Sequence, residues 1–390
     1  MTSLRHLAIQ PGPAALAALH TLRRALEGEL AVLPYAAGTI PPSVPDGALP
    51  DEGTALVVGT SGSTGIPKLA MLPAHALRAS ATATHERLGG PGSWLLAMPA
   101  HHIAGVQVLL RCLAAETEPH VMNLTDGFQT AAFAEAVRAL AGGRRYTSLV
   151  PTQLVRVLAD TDAARAAAEL DAVLVGGAAS SPGLLRQARE AGLRVVTTYG
   201  MSETSGGCVY DGLPLSGTTI RVDDGGRIQL GGDTLATGYL GRPDLTSRAF
   251  HSDDAGRRWF RTDDLGHQDP RGRWHVDGRL DDLIITGGLK VAPRVVEEAL
   301  VEHVGGVAEA VVVGIADEEW GQVVCAAVTS ADGDQEPTVA QARAVLRGIL
   351  PDHALPRRLL VLTTLPLRGP GKPDRQAIRA ALVARATMDP

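Results

Sequence analysis

A short loop rich in glycine and hydroxyl residues is the first stretch of this chain with the residue types for phosphate chemistry. An apolar run over 55–58 precedes it, and the chain then reads GTSGSTGIPK. Glycine permits tight turns and close approach to a ligand, while amides, hydroxyls and one lysine can surround phosphate oxygens. The spacing is not that of the nucleotide-binding pattern in which Gly-Lys follows a first glycine after four residues, so a plain flexible loop is the alternative for this stretch alone. The candidate phosphate-binding residues are Thr60, Ser61, Gly62, Ser63, Thr64, Gly65 and Lys68.

Lysine is scarce in this chain, so the positions of its lysines are informative. The 36 basic residues include three lysines, which are Lys68, Lys290 and Lys372. Arginine supplies positive charge elsewhere, but it does not imitate the compact ammonium and flexible stem of lysine. All three lysines lie in glycine-rich stretches, which favours functional roles for the set, although chance explains any single one equally well.

Composition predicts a globular protein with more than one domain. The 390 residues exceed one ordinary core, and the hydrophobic share of 45% with a charged share of 20% is typical of folded proteins. A net charge of −6 disfavours a nucleic-acid partner. The three cysteines are widely separated, no apolar run is long enough to span a membrane, and the N-terminus lacks a signal-peptide pattern. We therefore expect a cytoplasmic protein with no membrane span.

The elements that must position these residues alternate between strands and helices in the first half of the chain. Such alternation predicts an α/β fold with a parallel sheet covered by helices on both faces, and ligands bind beyond the carboxyl ends of such strands. Residues 1–30 are predicted to be mainly helical, and 34–53 to be an extended connector. The predicted strands are 94–98, 120–123, 146–150, 172–175 and 194–198, and the predicted helices are 74–88, 106–115, 128–141, 151–158 and 182–191.

The pattern changes after residue 212. Short alternating segments between Asp/Gly turns predict a small antiparallel, barrel-like β subdomain up to a charged break at 279–282. Beyond the break, helices over 293–303 and 339–349 and strands over 309–315, 323–329 and 358–362 predict a small α+β unit. We expect a large domain over 1–280, shortened at its N-terminus, and a small domain over 281–390, with a hinge at Asp281.

Seven motifs together carry a resemblance that no single one supports. The motifs are TSGSTGIPK (60–68), MPAHHIAG (98–105), VGGAAS (175–180), TTYGMSET (197–204), FRTDDLG (260–266), GRLDDLIITGGLKVAP (278–293) and LRGPGKPDR (367–375). With the motifs in this order and spacing, the chain resembles the adenylate-forming superfamily of acyl-CoA synthetases, adenylation domains and luciferases, over roughly residues 55–385. The resemblance implies ATP-dependent activation of a carboxylate to an acyl-AMP, then transfer to the thiol of CoA, with a C-terminal domain that moves about the hinge.

The resemblance implies a nucleotide site with magnesium. Glu203 follows a predicted strand, and its carboxylate suits Mg²⁺ that also binds phosphate oxygens, although a solvated loop glutamate is the reading without the resemblance. By resemblance, Asp264 binds the ribose hydroxyls even though Asp263 replaces the usual glycine before it. The other implied contacts to ATP or AMP are Gly177 and Ala178 at the adenine, Tyr199 stacked on it, Ser202 near the α-phosphate, Arg279 at the ribose or phosphate region, and Gly200.

The resemblance also implies catalytic, acyl-binding and CoA-binding residues. Lys372 matches the catalytic lysine of the moving domain, and Lys68 is then part of the phosphate clamp. His102 lines the acyl tunnel; a metal site at the His101–His102 pair lacks Cys or His partners at ligand spacing. The expected acyl-pocket residues are His102, Thr152, Gln153, Gly206 and Gly207, and the expected CoA-binding residues are Gly287, Gly288 and Lys290.

The stretches TTYGMSETSGGCVYDGLPL and SLVPTQL are similar to the o-succinylbenzoate–CoA ligases of menaquinone biosynthesis. That substrate carries two carboxylates, yet no arginine in the sequence obviously marks the second one. The alternatives left open are another acyl or aryl acid–CoA ligase, a stand-alone adenylation enzyme that loads a carrier protein, and a non-catalytic nucleotide-binding relative. The expected partners are small molecules, and a homodimer stays open.

Overall fold

The computed structural model describes residues 3–60, 68–330, 336–367 and 373–386. Two sheets and the helices around them form the part of the chain up to residue 214. Its elements, in chain order, are β1 (Leu4–Ile9), a 3₁₀ helix (Gly12–Ala17), α1 (Ala18–Leu26), β2 (Ala31–Ala36), β3 (Thr54–Thr60), β4 (Lys68–Pro73), α2 (Ala74–Arg87), β5 (Ser93–Leu96), α3 (Ile103–Ala115), β6 (His120–Val121), α4 (Thr130–Ala139), β7 (Arg145–Leu149), α5 (Pro151–Ala159), α6 (Thr161–Ala168), β8 (Ala172–Val175), α7 (Pro182–Glu190), β9 (Val195–Met201), a 3₁₀ helix (Ser202–Thr204), β10 (Gly206–Tyr210) and β11 (Leu213–Pro214).

The remaining elements form two smaller β-rich regions. They are β12 (Thr218–Val222), β13 (Arg227–Gly232), β14 (Gly238–Tyr239), α8 (Pro243–Ala249), β15 (Phe250–Ser252), β16 (Arg258–Gln268), β17 (Trp274–Arg279), a 3₁₀ helix (Leu280–Asp282), β18 (Ile284–Thr286), β19 (Leu289–Val291), α9 (Pro293–His303), β20 (Val307–Asp317), β21 (Gly321–Ser330), α10 (Val339–Leu346), a 3₁₀ helix (Asp352–Ala354), β22 (Arg358–Leu362) and α11 (Arg375–Ala386).

The second sheet confirms the predicted α/β organisation. Its order is β11-β10-β9-β8-β7-β5-β6, and the strands from β9 to β6 are parallel. Successive residues of β5 enter different hydrophobic clusters, Trp94 and Leu96 on one face and Leu95 on the other. This alternation is the period of two expected for a strand covered on both faces. Helices α2 and α3 pack on the first face and α4 to α7 on the second.

The first sheet corrects the prediction for the N-terminal region. The expected helix does form, as the 3₁₀ turn and α1, but β1 precedes it and pairs in parallel with β2. β2 also occupies the start of the expected connector. The pattern did not reveal β1 because Ile9 alone among its residues is buried, so pairing with the later strand β2, and not a local apolar period, determines its conformation. The order of this sheet is β1-β2-β3-β4-β14.

The third and fourth sheets confirm the change of pattern after residue 212. The third is antiparallel, in the order β12-β13-β16-β15 with β17 beside β16. The fourth has the order β19-β18-β21-β20, with β22 parallel to β21, and α9 and α11 belong to the hydrophobic clusters on its two sides. Across the described ranges, no helix combines the length and apolarity needed to cross a membrane.

Candidate nucleotide and acyl site

Asp264 lies at the centre of a buried polar contact between the second and third sheets. The Tyr199 hydroxyl, near the end of β9, donates to Asp264 Oδ2 at 2.7 Å. Arg279, paired with Asp264 across β16 and β17, donates from Nη1 to Oδ1 at 3.3 Å. Burial raises the pKa of the Asp264 carboxyl, while these two donors oppose that rise. Each carboxylate oxygen keeps a lone pair for a further donor such as a sugar hydroxyl.

Glu203 is held in a second polar contact by a residue that the sequence analysis missed. The Tyr239 hydroxyl donates to Glu203 Oε1 at 2.8 Å, and both side chains are buried. Burial raises the pKa of Glu203, and the positive charge of Lys68 acts against that rise. Lys68 Nζ lies 5.5 Å from the centre of the Tyr239 ring. The structure therefore brings together a carboxylate, a hydroxyl and a lysine.

The first sheet explains why these three groups meet. Lys68 begins β4 and pairs with Thr60, the last residue of β3. β14, which contains Tyr239, pairs antiparallel with β4. The backbone N–H of Ala236 donates to the Glu203 carbonyl at 2.8 Å. The loop residues Ser61, Gly62, Ser63, Thr64 and Gly65 lie outside the described residues, as does Lys372.

Three glycines at and near the end of β9 lie where a side chain would clash or strain the backbone. A Cβ on Gly200 would overlap the Gly206 carbonyl across the β9–β10 pair, and Gly206 has a φ of +97°. Gly177 has a φ of +80°, which favours glycine, in the loop after β8. β8 and β9 are adjacent and parallel, so this loop and the turn with Ser202 lie at the same edge. The other predicted residues at this edge are Ala178, beside Gly177, and Gly207, beside Gly206.

The predicted acyl residues lie around the start of α3 and the neighbouring turns. The carbonyl of His102 caps α3 by accepting from Val106 N at 2.9 Å, and the His102 side chain is exposed. The rings of His101 and His102 are 4.2 Å apart. Burial, and then the charge of His102, lower the pKa of His101 to about 4. A Cβ on Gly206 would lie 3.4 Å from Gln107 Cγ, so α3 and β10 are in contact.

Gln153 uses its amide for the fold. Its Nε2 donates to the Ala97 carbonyl at 2.8 Å, and its Oε1 accepts from Val150 N at 2.9 Å. This reciprocal arrangement closes the N-terminus of α5 and ties it to the end of β5. Thr152 beside it is half-buried. Gln153 can therefore shape a pocket wall, but its amide is already committed to backbone partners.

Arg111 is the principal side chain that the sequence analysis missed. It is 4% exposed, and its guanidinium lies 4.7 Å from the centre of the Trp94 ring. Its Nη2 donates to the Tyr210 hydroxyl at 3.3 Å, whereas its Nε has no hydrogen-bond partner within the described part of the chain. No carboxylate among the described residues pairs with it. A buried charge without a counter-ion is costly, so this arginine indicates an anionic ligand. The signal was an arginine inside the apolar helix of residues 106–115.

Gln107 lies one helical turn before Arg111 on the same face. It is fully buried, and its Nε2 donates to the Ser205 carbonyl at 2.6 Å. Among the described residues, its Oε1 has no hydrogen-bond partner. Residues four apart on a helix are neighbours, so Gln107 and Arg111 lie on the same side of α3, the helix that contacts β10.

The C-terminal region presents its predicted residues on the surface. Gly287 and Gly288, with φ of +56° and +78°, form the two-residue turn between β18 and β19. Lys290 is exposed on β19. Asp281 is exposed and accepts from Arg279 Nε at 2.9 Å. The predicted hinge residue is thus bonded to Arg279, which also contacts Asp264.

A protein-only metal site needs several donor side chains close together. The parts of the chain that the structure describes contain no group of three or more His, Cys, Asp or Glu side chains able to hold a metal ion. Glu203 alone fits Mg²⁺ that arrives with a nucleotide, because Mg²⁺ commonly takes one or two carboxylates and completes its shell with phosphates and water. Tyr239 holds one oxygen of the buried Glu203 carboxylate, so the other oxygen can serve as the single protein ligand of such an ion.

Comparison with known proteins defines the class of protein. Residues 11–240 match the family model of AMP-binding enzymes, and residues 295–372 match the model of the AMP-binding enzyme C-terminal domain. The chain belongs to this family, which confirms the resemblance drawn from the seven motifs.

Individual relatives are more specific. The chain is 47% identical to a probable 2-succinylbenzoate–CoA ligase of Mycobacterium tuberculosis, covering 96% of this chain and 97% of that one. It is 32% identical to a 2-succinylbenzoate–CoA ligase of Geobacillus sp. (strain WCH70), covering 80% and 66%. The solved o-succinylbenzoate coenzyme A synthetase of Bacillus subtilis in complex with AMP superposes with a TM-score of 0.71 at 27% identity, over 84% of this chain and 69% of that one.

Proposed function

We propose that this protein is an AMP-forming 2-succinylbenzoate–CoA ligase, which acts in the cytoplasm in menaquinone biosynthesis. The Mycobacterium tuberculosis relative that aligns over 96% of this chain is named a probable 2-succinylbenzoate–CoA ligase, and the Geobacillus relative that aligns over 80% of it is named a 2-succinylbenzoate–CoA ligase. The observation that supports this substrate is the buried Arg111, which has no carboxylate partner in the described part of the chain, because 2-succinylbenzoate has one carboxylate to activate and a second that must be recognised.

We assign the nucleotide to the edge where β8, β9 and β16 meet. Asp264 would accept the ribose hydroxyls, with Arg279 beside it and Tyr199 stacked on the adenine near Gly177 and Ala178. The phosphates would lie between Gly200, Ser202 and Lys68 and the loop of Thr60, Ser61, Gly62, Ser63, Thr64 and Gly65. Glu203 would hold the magnesium ion, which when bound neutralises phosphate charge.

The chemistry would proceed in two half-reactions. A carboxylate oxygen of the acid attacks the α-phosphorus of ATP, the bond to the β-phosphate oxygen breaks, and pyrophosphate leaves. Lys372 would stabilise the charge that develops in this step. The CoA thiolate then attacks the acyl carbonyl, and AMP leaves with the oxygen that came from the acid.

The two half-reactions would use different faces of the small domain. We assign residues 1–280 to the large domain and 281–390 to the small one, with Asp281 as the hinge. The exposed turn of Gly287, Gly288 and Lys290 would meet the pantetheine arm of CoA. On the large domain, His102 would line the acyl tunnel, whose walls include Thr152, Gln153, Gly206 and Gly207.

A panel of acids tests this function. ATP–pyrophosphate exchange should be strong with 2-succinylbenzoate and weak with benzoate and fatty acids, because the uncompensated guanidinium disfavours acids without a second charge. Free CoA should then accept the acyl group. Strong exchange with a fatty acid and none with 2-succinylbenzoate would support another acid–CoA ligase, and transfer only to a carrier protein would support a stand-alone adenylation enzyme. A lack of exchange with every acid would favour a non-catalytic relative.

Replacement of Asp264 by asparagine should raise the KM for ATP about tenfold or more, since the amide loses one charged acceptor for the ribose. The KM for the acid should change little. Steady-state kinetics with each substrate varied measures the difference. Asp263→Asn is the control, because Asp263 is exposed and is bonded to Arg227. A larger effect of the control would contradict the assignment of Asp264.

A further inference from the structure

The guanidinium of Arg111 lies in a cage of neutral side chains. Tyr210, on β10, is fully buried and accepts from Arg111 Nη2. The Trp94 ring covers the guanidinium, and its Nε1 donates to His85 Nε2 at 3.3 Å. Burial, and then the charge of Arg111, lower the pKa of His85 to about 4, so His85 is neutral near pH 7. These neighbouring side chains therefore do not neutralise the positive charge of Arg111.

The Tyr210 hydroxyl is oriented by a second contact. Its oxygen lies 3.1 Å from Thr84 Oγ1, on α2. Since Arg111 can only donate, the tyrosine oxygen must use a lone pair toward it, and the tyrosine proton is free to point at Thr84. Tyr210 thus connects α2 with the guanidinium on α3.

The hydrogen bond from Arg111 Nη2 to Tyr210 fixes one edge of the planar guanidinium. A guanidinium presents five N–H donors in a rigid fork, so holding Nη2 determines where the other donors point. The Nε donor stays unpartnered in the buried interior. A carboxylate binds such a fork best when its plane is aligned with it.

We propose that Tyr210 is a positioning residue that orients Arg111 toward the second carboxylate and thereby sets the preference for dicarboxylate acids. This inference rests on the proposed function. Tyr210 itself need not touch the substrate. Its effect would pass through Arg111, which distinguishes it from a tyrosine that only fills the core.

Tyr210→Phe tests the proposal because it removes the hydroxyl and keeps the ring. The KM for 2-succinylbenzoate should rise about tenfold, as expected for loss of a hydrogen bond to a charged group. The KM for ATP and kcat should stay within about twofold. A rise of the ATP and acid KM values together would overturn the proposal.

Tyr146→Phe is the matched control. Tyr146 is also fully buried, its hydroxyl donates to the Gly90 carbonyl at 2.9 Å, and its ring lies 5.0 Å from that of Trp94. The Tyr146→Phe variant loses a comparable buried hydrogen bond, but that bond does not involve Arg111. This variant should unfold at a lower temperature and keep its KM for the acid. An equal rise of that KM in both variants would indicate a purely structural role for Tyr210.

A double-mutant cycle separates this inference from the proposed function. In an Arg111→Met background, Tyr210→Phe should have no further effect on the acid KM, because the group it positions is absent. If the two substitutions instead raise the acid KM by independent factors that multiply, the inference fails and the proposed function stands. A wild-type enzyme inactive with 2-succinylbenzoate would overturn the proposed function and this inference with it.

Discussion

Arg111→Met is expected to make the protein more stable and far less active on its dicarboxylate. The substitution keeps much of the side-chain volume and removes a buried charge that has no described carboxylate partner. Removing such a charge relieves its desolvation cost, so the unfolding temperature should rise. Catalytic efficiency with 2-succinylbenzoate should fall by about two to three orders of magnitude, because a desolvated charge pair with the substrate is lost.

The loss of activity in Arg111→Met should be specific to the dicarboxylate substrate. The KM for ATP should not change, and exchange with a monocarboxylic acid should stay equal or increase, since an apolar residue replaces the charge. Thermal unfolding and exchange assays with the two acids measure these effects. A less stable variant that loses activity equally with both acids would show that Arg111 only supports the fold.

Lys372→Ala is expected to block the first half-reaction and spare the second. The resemblance assigns to this lysine the charge that develops when the carboxylate attacks the α-phosphorus, and loss of one such group typically costs about two to three orders of magnitude in rate. Transfer from synthetic acyl-AMP to CoA does not include that step, so its rate should remain near wild type.

Lys290→Ala is the matched control, since it removes another of the three lysines from an exposed strand of the same region. It should weaken transfer to CoA and leave ATP–pyrophosphate exchange intact. Equal loss of both half-reactions in the Lys372 variant would contradict the assignment of different faces to the two steps.

Local sequence patterns predicted the elements that a short apolar run or a helix-start signal marks. The bounds of β8, β22 and α9 match their predictions, because apolar runs or a proline at the first helical turn mark them. β1 was missed because its partner strand, and not its own sequence, determines its conformation. The Tyr239 contact to Glu203 depends on β14 pairing with β4, about 170 residues earlier, and no local pattern contains that pairing.

Sequence motifs predicted individual residues of the candidate site, but not the contacts between them. Tyr199 and Asp264 were each identified from their motifs, but their mutual hydrogen bond joins two sheets and needed the structure. Arg111 lies outside the motif residues that were singled out. Its importance comes from the lack of a carboxylate partner among the residues that the structure describes, which a sequence does not display. Gln153 is the opposite case. Its motif predicts a pocket residue, but in the structure its side-chain amide is bonded to backbone groups.

The transfer of a heavy-oxygen label tests the central claim most directly. Here 2-succinylbenzoate labelled in its carboxylates is converted with ATP and CoA, and the products are analysed by mass spectrometry. If an acyl-AMP forms, one labelled oxygen should appear in AMP and none in pyrophosphate, together with the CoA thioester. Label in inorganic phosphate with formation of ADP, or unlabelled AMP beside the thioester, would contradict the account.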